Sequence, residues 1–113
     1  MNYIELELNG EVYKLRLNTR GAIGLEKSLG KNPLELLMKL DEGELPKMSD
    51  IVLIFHSMLQ AYNHGINIDR AYDLFDAYVA EGKTMFDFIQ EVMVPVFQNS
   101  GFIAKSADEE GKN

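Results

Sequence analysis

Apolar and polar side chains alternate along the first seventeen residues, with the period of two that is typical of a half-buried β-strand. The alternation is interrupted by Asn9-Gly10, a dipeptide that favours a two-residue turn with positive φ. Pairing the two stretches about this turn sets Glu5 opposite Lys14 on a polar face, where they can form an ion pair. The apolar face then consists of Ile4, Leu6, Tyr13 and Leu15. We therefore predict a β-hairpin over residues 3–17, whose apolar face must pack on helices because a two-stranded sheet is marginal alone in water.

After the hairpin, apolar residues recur every three to four positions, which is the pattern of amphipathic helices. The predicted helices span about residues 19–29, 33–40, 50–63, 68–81 and 85–99. The third helix is apolar around most of its circumference, which predicts that it is the central helix of the core. The fourth has an acidic face and an opposite face that we expect to be buried. That expected buried face consists of Ile68, Ala71, Tyr72, Phe75, Tyr78 and Val79.

Each predicted helix begins at a residue that can cap it. A side-chain oxygen at this position accepts a hydrogen bond from an N–H group that the first turn leaves unpaired. The candidate caps are Asn18 or Thr19, Asn32 (before Pro33, with Glu35 placed to reach back to its amide), Ser49, Asn67, and Thr84 with Asp87 as a capping box. Pro95 lies inside the last helix and predicts a kink or break near Val94.

These elements together predict an α+β fold, in which an N-terminal antiparallel β-hairpin packs on a bundle of about four to five helices. Residues 1–103 are long enough for a single domain with its own core. Residues 104–113 have no large apolar side chain and no periodicity, so we expect a disordered, acidic C-terminal tail.

Composition narrows the classes of function. The chain has 113 residues, a net charge of −7 and no cysteine. The lack of cysteine excludes disulfides and thiolate chemistry, and the acidic balance argues against binding to a phosphate backbone, so we expect no nucleic-acid partner. No apolar run is long enough to span a membrane and the N-terminus lacks the features of a signal peptide, so we expect no membrane association and a cytoplasmic location.

The residues that usually carry catalysis or bind metals are few and poorly placed. His56 and His64 are the only histidines and lie eight residues apart, too far along one helix to chelate one ion. Asp69, Asp73 and Asp76 could form a cation site, but the solvated face of an amphipathic helix is the simpler interpretation. No serine lies in a nucleophile-elbow sequence. We therefore predict no catalytic, metal or cofactor site, and no enzymatic activity.

The last helix and the residues after it carry more methionine and phenylalanine than packing on a small domain requires. Core packing is the simpler use of these side chains. Met-rich apolar surfaces also adapt to several partners, so a protein-binding surface or an oligomer interface is the second interpretation. The candidate protein-binding residues are Met85, Phe86, Phe88, Met93, Phe97 and Phe102. In a regular helix, Phe88 lies away from the main apolar stripe, which contains Phe86, Ile89, Met93, Val96 and Phe97.

Four stretches of the chain also resemble a known family. They are Ile4–Asn18, Ile23–Leu34, Ile51–Tyr62 and Tyr72–Tyr78. In composition and order these stretches are similar to the tail assembly chaperones of long-tailed phages and related prophages, and the similarity covers residues 3–102. The resemblance implies a small protein that binds the tape measure protein and keeps it soluble until the tail tube polymerises around it.

The resemblance implies further properties. The tail tube protein is a second candidate partner, self-association is left open, and the protein would act in the bacterial host cytoplasm and be absent from the mature virion. Such chaperones are often made in two forms by ribosomal frameshifting. Glu110–Asn113 can be encoded with the slippery heptanucleotide G-GGA-AAA, which would make this chain the shorter form. A bacterial protein-binding adaptor or regulatory module without catalytic activity fits the composition equally well and remains the alternative.

Overall fold

The computed structural model describes residues 2–104, and it begins with the hairpin that the alternating pattern predicts. Strand β1 (Ile4–Leu8) pairs with strand β2 (Glu11–Leu15) in antiparallel fashion and in the predicted register. Asn9 and Gly10 form the turn with φ values of 52° and 82°. Positive φ at both positions matches the right-handed twist of the flanking strands, which explains why this dipeptide is preferred here.

The hairpin is shorter than predicted, because β2 ends at Leu15. The next two N–H groups bond to the helices instead of to β1. The N–H of Arg16 donates to the carbonyl of Met58 at 2.9 Å, and the N–H of Leu17 donates to the hydroxyl of Ser100 at 3.1 Å. These two bonds tie the end of the hairpin to the helical body.

The predicted ion pair on the polar face of the hairpin is also replaced by another contact. Glu5 and Lys14 are opposite each other in the register, as predicted. The ammonium of Lys14, however, lies over the ring of Tyr3 at 4.8 Å from its centroid, and 5.8 Å from that of Tyr62. Two aromatic faces hold a cation without removing it fully from water, so they compete successfully with an exposed carboxylate.

Helices make up the rest of the fold and appear in the predicted order. Their bounds are α1 (Thr19–Leu29), α2 (Leu34–Asp41), α3 (Met48–Leu59), α4 (Ile68–Ala80), α5 (Met85–Phe88), a π-helical turn (Ile89–Met93) and α6 (Val94–Asn99). The α+β class with an N-terminal hairpin is confirmed. The prediction that the third helix extends to residue 63 was wrong, since α3 ends at Leu59. Beyond Ala104, the predicted tail lies outside the described residues.

Three of the predicted helix caps are confirmed. The side-chain oxygens of Asn18 and Asn67 each accept a hydrogen bond at 2.8 Å from the backbone N–H three residues further on. At the start of α5, the hydroxyl of Thr84 accepts from the N–H of Asp87 at 3.1 Å, while the carboxylate of Asp87 accepts from the N–H of Thr84 at 2.8 Å. This reciprocal pair is the capping box that the spacing predicted.

The prediction that Ser49 caps α3 was wrong. The helix begins at Met48, one residue earlier, with Lys47 in the cap position and no hydrogen bond from its side chain. Asp50 thus lies in the first turn, where the helix dipole favours a negative charge. Its carboxylate is 3.3 Å from the ammonium of Lys31, so an ion pair stabilises this helix start in place of a capping hydroxyl.

The start of α2 follows the prediction in part. The side-chain oxygen of Asn32 accepts a hydrogen bond from the N–H of Leu34 at 3.0 Å, as a cap does. The carboxylate of Glu35 does not reach back to Asn32 but lies 3.6 Å from the ammonium of Lys39. Lys39 is one turn further along the same helix face and offers a full positive charge, which a backbone amide does not.

Helix α3 is the centre of the core, as predicted from the apolar residues around most of its circumference. Its buried residues are Ile51, Val52, Ile54, Phe55, Met58 and Leu59. The ring of Phe55 packs edge-on against Phe75 of α4 at 6.4 Å between centroids, and against Phe88 of α5 at 5.3 Å. Tyr78 of α4 completes this aromatic cluster, with its ring 5.5 Å from that of Phe88. The hairpin packs on the same body, β2 against α3 and β1 against α4 and α6.

Pro95 disturbs the last helix where predicted, and the disturbance is a π-helical turn. Proline has no N–H and its ring crowds the carbonyl four residues earlier, so a regular α-helix cannot pass through it unchanged. In the structure, the N–H of Val94 donates to the carbonyl of Ile89, five residues back. The backbone thus accommodates one extra residue in the turn before Pro95, and the chain continues as helix without a break.

The hydroxyl of Tyr78 generates a prediction about stability. It is buried and has no hydrogen-bond partner within residues 2–104. An unsatisfied buried hydroxyl costs about 1–3 kcal/mol, so we expect Tyr78→Phe to raise the free energy of unfolding at pH 7 by up to that amount. Urea denaturation of the two proteins measures the difference. A less stable variant would contradict the placement of this hydroxyl.

The same side chain predicts a loss of stability at high pH. Burial raises the pKa of Tyr78 to about 12, and the carboxylates of Glu91, Asp87 and Glu81 act in the same direction. Between pH 10 and pH 12 the unfolded chain releases this proton while the folded chain retains it, so stability falls with pH at up to about 1.4 kcal/mol per unit. Tyr78→Phe should remove this part of the pH dependence, and an unchanged slope would contradict the assignment.

Candidate partner-binding surface

The six candidate protein-binding residues of the last helical region do not form one surface. Phe88, Met93 and Phe97 are fully buried in the core. Met85 and Phe102 are half-buried and pack against that core, and only Phe86 is well exposed, at 46%. Core packing therefore accounts for most of the methionine and phenylalanine in this region, including Phe88, for which the sequence indicated the opposite.

The reason is the π-helical turn. Buried residues in this region occur in pairs that recur every four positions: Phe88–Ile89, Val92–Met93 and Val96–Phe97. In a regular α-helix, each four-residue step would rotate the pair by about 40° around the axis. A π-helical turn has more residues per turn and cancels this drift, so all three pairs face the core. The four-residue spacing was the signal in the sequence that could have corrected the prediction.

Exposed apolar side chains occur elsewhere on the described part of the chain. The large ones are Val12, Ile23, Met38, Leu45, Met48, Tyr62, Tyr72, Val79 and Phe86. Single exposed apolar residues are normal on a protein surface, whereas a group of them around one depression is a common mark of a binding site. Three of the nine, Met48, Tyr72 and Val79, line the same depression.

This depression is a groove between the start of α3 and the outer side of α4, which we call the α3/α4 groove. Its floor is formed by Val52 and Phe75, which are buried, and its walls by Met48, Tyr72 and Val79, which are 50%, 51% and 45% exposed. Ser49 and Asp76 complete the lining, which encloses about 280 Å³. The groove is open to solvent and mainly apolar, so it can receive an apolar side chain or a helix edge.

Two of these wall residues were placed incorrectly by the sequence pattern. We expected Tyr72 and Val79 on the buried face of α4, but that face consists of Ala71, Leu74, Phe75 and Tyr78. These four have the spacing of a single helical stripe, and Tyr72 and Val79 each follow a stripe residue by one position. They lie at the edge of the stripe, beyond the reach of α3, and therefore border the groove.

One side of the α3/α4 groove is acidic. Asp69, Asp73 and Asp76 are all exposed on α4, as predicted for a solvated face. Helical spacing places them on a stripe beside Tyr72 and Val79, and Asp76 itself lines the groove. The apolar lining is thus bordered by a row of negative charges.

Three other depressions on the described surface are smaller. One is also mainly apolar and is lined in part by Leu34, Phe97 and Phe102, but its volume is only about 30 Å³. Another lies between α2 and α3, and its lining includes two ion pairs, Lys31 with Asp50 at 3.3 Å and Lys39 with Glu44 at 3.7 Å. Within residues 2–104, no cluster of three or more histidine or carboxylate side chains is arranged to hold a metal ion. None of the helices in this range has the length and apolar character needed to cross a membrane.

Comparison with known proteins matches residues 3–113 of the chain to a family model. The chain belongs to the DUF6096 family. This family is described as one of unknown function, and its model covers the hairpin and all of the helices. No curated protein and no solved structure matches the chain.

The contrast between Phe86 and Phe88 can be tested directly. Both belong to α5, but Phe88 is sealed in the aromatic cluster and Phe86 is exposed. We expect Phe88→Ala to lower the free energy of unfolding by about 3–5 kcal/mol, whereas Phe86→Ala should lower it by less than about 1 kcal/mol. Urea denaturation of the matched pair measures this, and equal losses would contradict the burial of Phe88.

Proposed function

We propose that this protein is a phage tail assembly chaperone that binds the tape measure protein and keeps it soluble during tail morphogenesis. The resemblance over residues 3–102 supports this proposal, as does the order of a hairpin followed by helices. The proposed action needs no catalysis: the protein covers apolar surface on its partner, and no bond is made or broken. It would act in the cytoplasm of the bacterial host and be absent from the mature virion.

The observation that carries the proposal is the α3/α4 groove. A tape measure protein is a long helical chain whose apolar seam would aggregate if it were exposed before assembly. The groove offers Met48, Tyr72 and Val79 to such a seam, over a floor of buried side chains. Laying an amphipathic helix in an apolar groove is an established mode of protein recognition.

The charge of the protein supports the same role. A net charge of −7 on 113 residues gives the surface a strong negative potential. When the protein covers a client, this charge keeps the complexes apart from one another and therefore in solution. An acidic surface with a local apolar groove thus combines the two properties that a chaperone of this kind requires.

Co-expression tests the proposed function. The tape measure protein encoded in the same gene cluster should be mainly insoluble when produced alone, and its soluble yield should rise several-fold when this protein is produced with it. A small acidic protein of similar charge serves as the control for nonspecific effects. An unchanged soluble yield, or an equal rise with the control protein, would contradict the proposal.

A further inference from the structure

The α3/α4 groove has a definite charge pattern, which indicates what kind of helix it can bind. Tyr72 and Val79 lie seven residues apart on one side of α4, a distance of about 10 Å or two helical turns. A bound helix of matching length would contact them with apolar residues at spacings of three, four and seven. Residues beside that seam would then face the carboxylates of Asp69, Asp73 and Asp76.

Two other occupants of the groove can be considered, the C-terminal residues of this chain and a second copy of the protein. Neither fits the surface. The part of the chain beyond Ala104 contains no apolar side chain larger than alanine, and its sequence includes Asp108, Glu109 and Glu110. It lacks the groups to fill an apolar groove and would be repelled by the acidic border. A second copy, placed about a twofold axis at the groove, would bring its own Asp76 row against this one.

We infer that the α3/α4 groove selects an amphipathic helix whose apolar seam is flanked by lysine or arginine. This inference rests on the proposed function and specifies the part of the client that is bound. The apolar seam covers Met48, Tyr72 and Val79, while the flanking cations face the aspartate row on α4. Tyr72 is the main anchor, because a half-exposed tyrosine presents an apolar ring to the seam, a hydroxyl to water and a ring face to a cation.

The test uses three synthetic helical peptides of about 20 residues, a length at which a helix can persist in water. All three carry the same leucine seam, and the flanking positions are lysine, glutamine or glutamate. Fluorescence anisotropy with the full-length protein at low and high salt measures the affinities. We expect the lysine peptide to bind at least about tenfold more tightly than the glutamate peptide, with a difference that shrinks at high salt. Equal affinities would overturn the inference.

Two matched pairs of variants locate the binding. Tyr72→Ala should weaken binding of the lysine peptide by about tenfold or more, whereas Tyr62→Ala, at a tyrosine of similar exposure on another surface, should change it by less than about twofold.

The second pair tests the charge preference. Asp73→Asn with Asp76→Asn should remove most of the preference for lysine over glutamine. Asp41→Asn with Glu42→Gln makes the same change in charge at the end of α2 and should leave that preference intact. Equal effects within either pair would overturn the inference.

Co-expression of the Tyr72→Ala variant separates this inference from the proposed function. If both hold, the wild-type protein raises the soluble yield of the tape measure protein and the variant does so much less. A full rise with the variant would overturn the groove as the client site while leaving the chaperone function in place. No rise with the wild-type protein would overturn the function itself. Unchanged thermal unfolding of the variant confirms that it is folded.

Discussion

The packing of aromatic rings around α3 is the interaction on which the rest of the structure depends. Phe55 lies at the middle of α3 and contacts Phe75 from α4 and Phe88 from α5, which also contact each other at 5.2 Å. Three helices that are separate in sequence are thereby fixed to one another. Edge-on ring pairs add directional preference to the burial of apolar area, so this cluster sets both the spacing and the orientation of the helices.

The position of the α3/α4 groove follows from this constraint. Because α4 must direct Phe75 and Tyr78 toward Phe88, its rotation about its own axis is fixed. Tyr72 and Val79 then fall at the edge of the contact with α3, where they remain about half exposed. The core could have enclosed them only by rotating α4, which would withdraw Phe75 from the cluster. The exposed apolar surface is therefore a consequence of the core.

Much of the fold could be predicted from the sequence because its signals are local. The Asn9-Gly10 turn, the alternating strands and the caps at Asn18 and Asn67 each depend on residues within a few positions of one another. The candidate surface could not be predicted in this way. Whether Tyr72 or Leu74 is buried depends on how α4 meets α3, and whether Phe88 is buried depends on the π-helical turn before Pro95. The burial of these residues depends on tertiary packing, so it cannot be predicted from helical periodicity alone.

In the proposed mode of action, the α3/α4 groove covers a helix of the partner. Amide hydrogen exchange of the full-length protein, alone and in complex with the proposed tape measure partner, measures whether this groove becomes covered on binding. Binding at the groove predicts slower exchange in residues 48–52 of α3 and 72–79 of α4, with little change in the hairpin and in α6. Protection confined to the hairpin or to α5 and α6, with the groove unchanged, would contradict it.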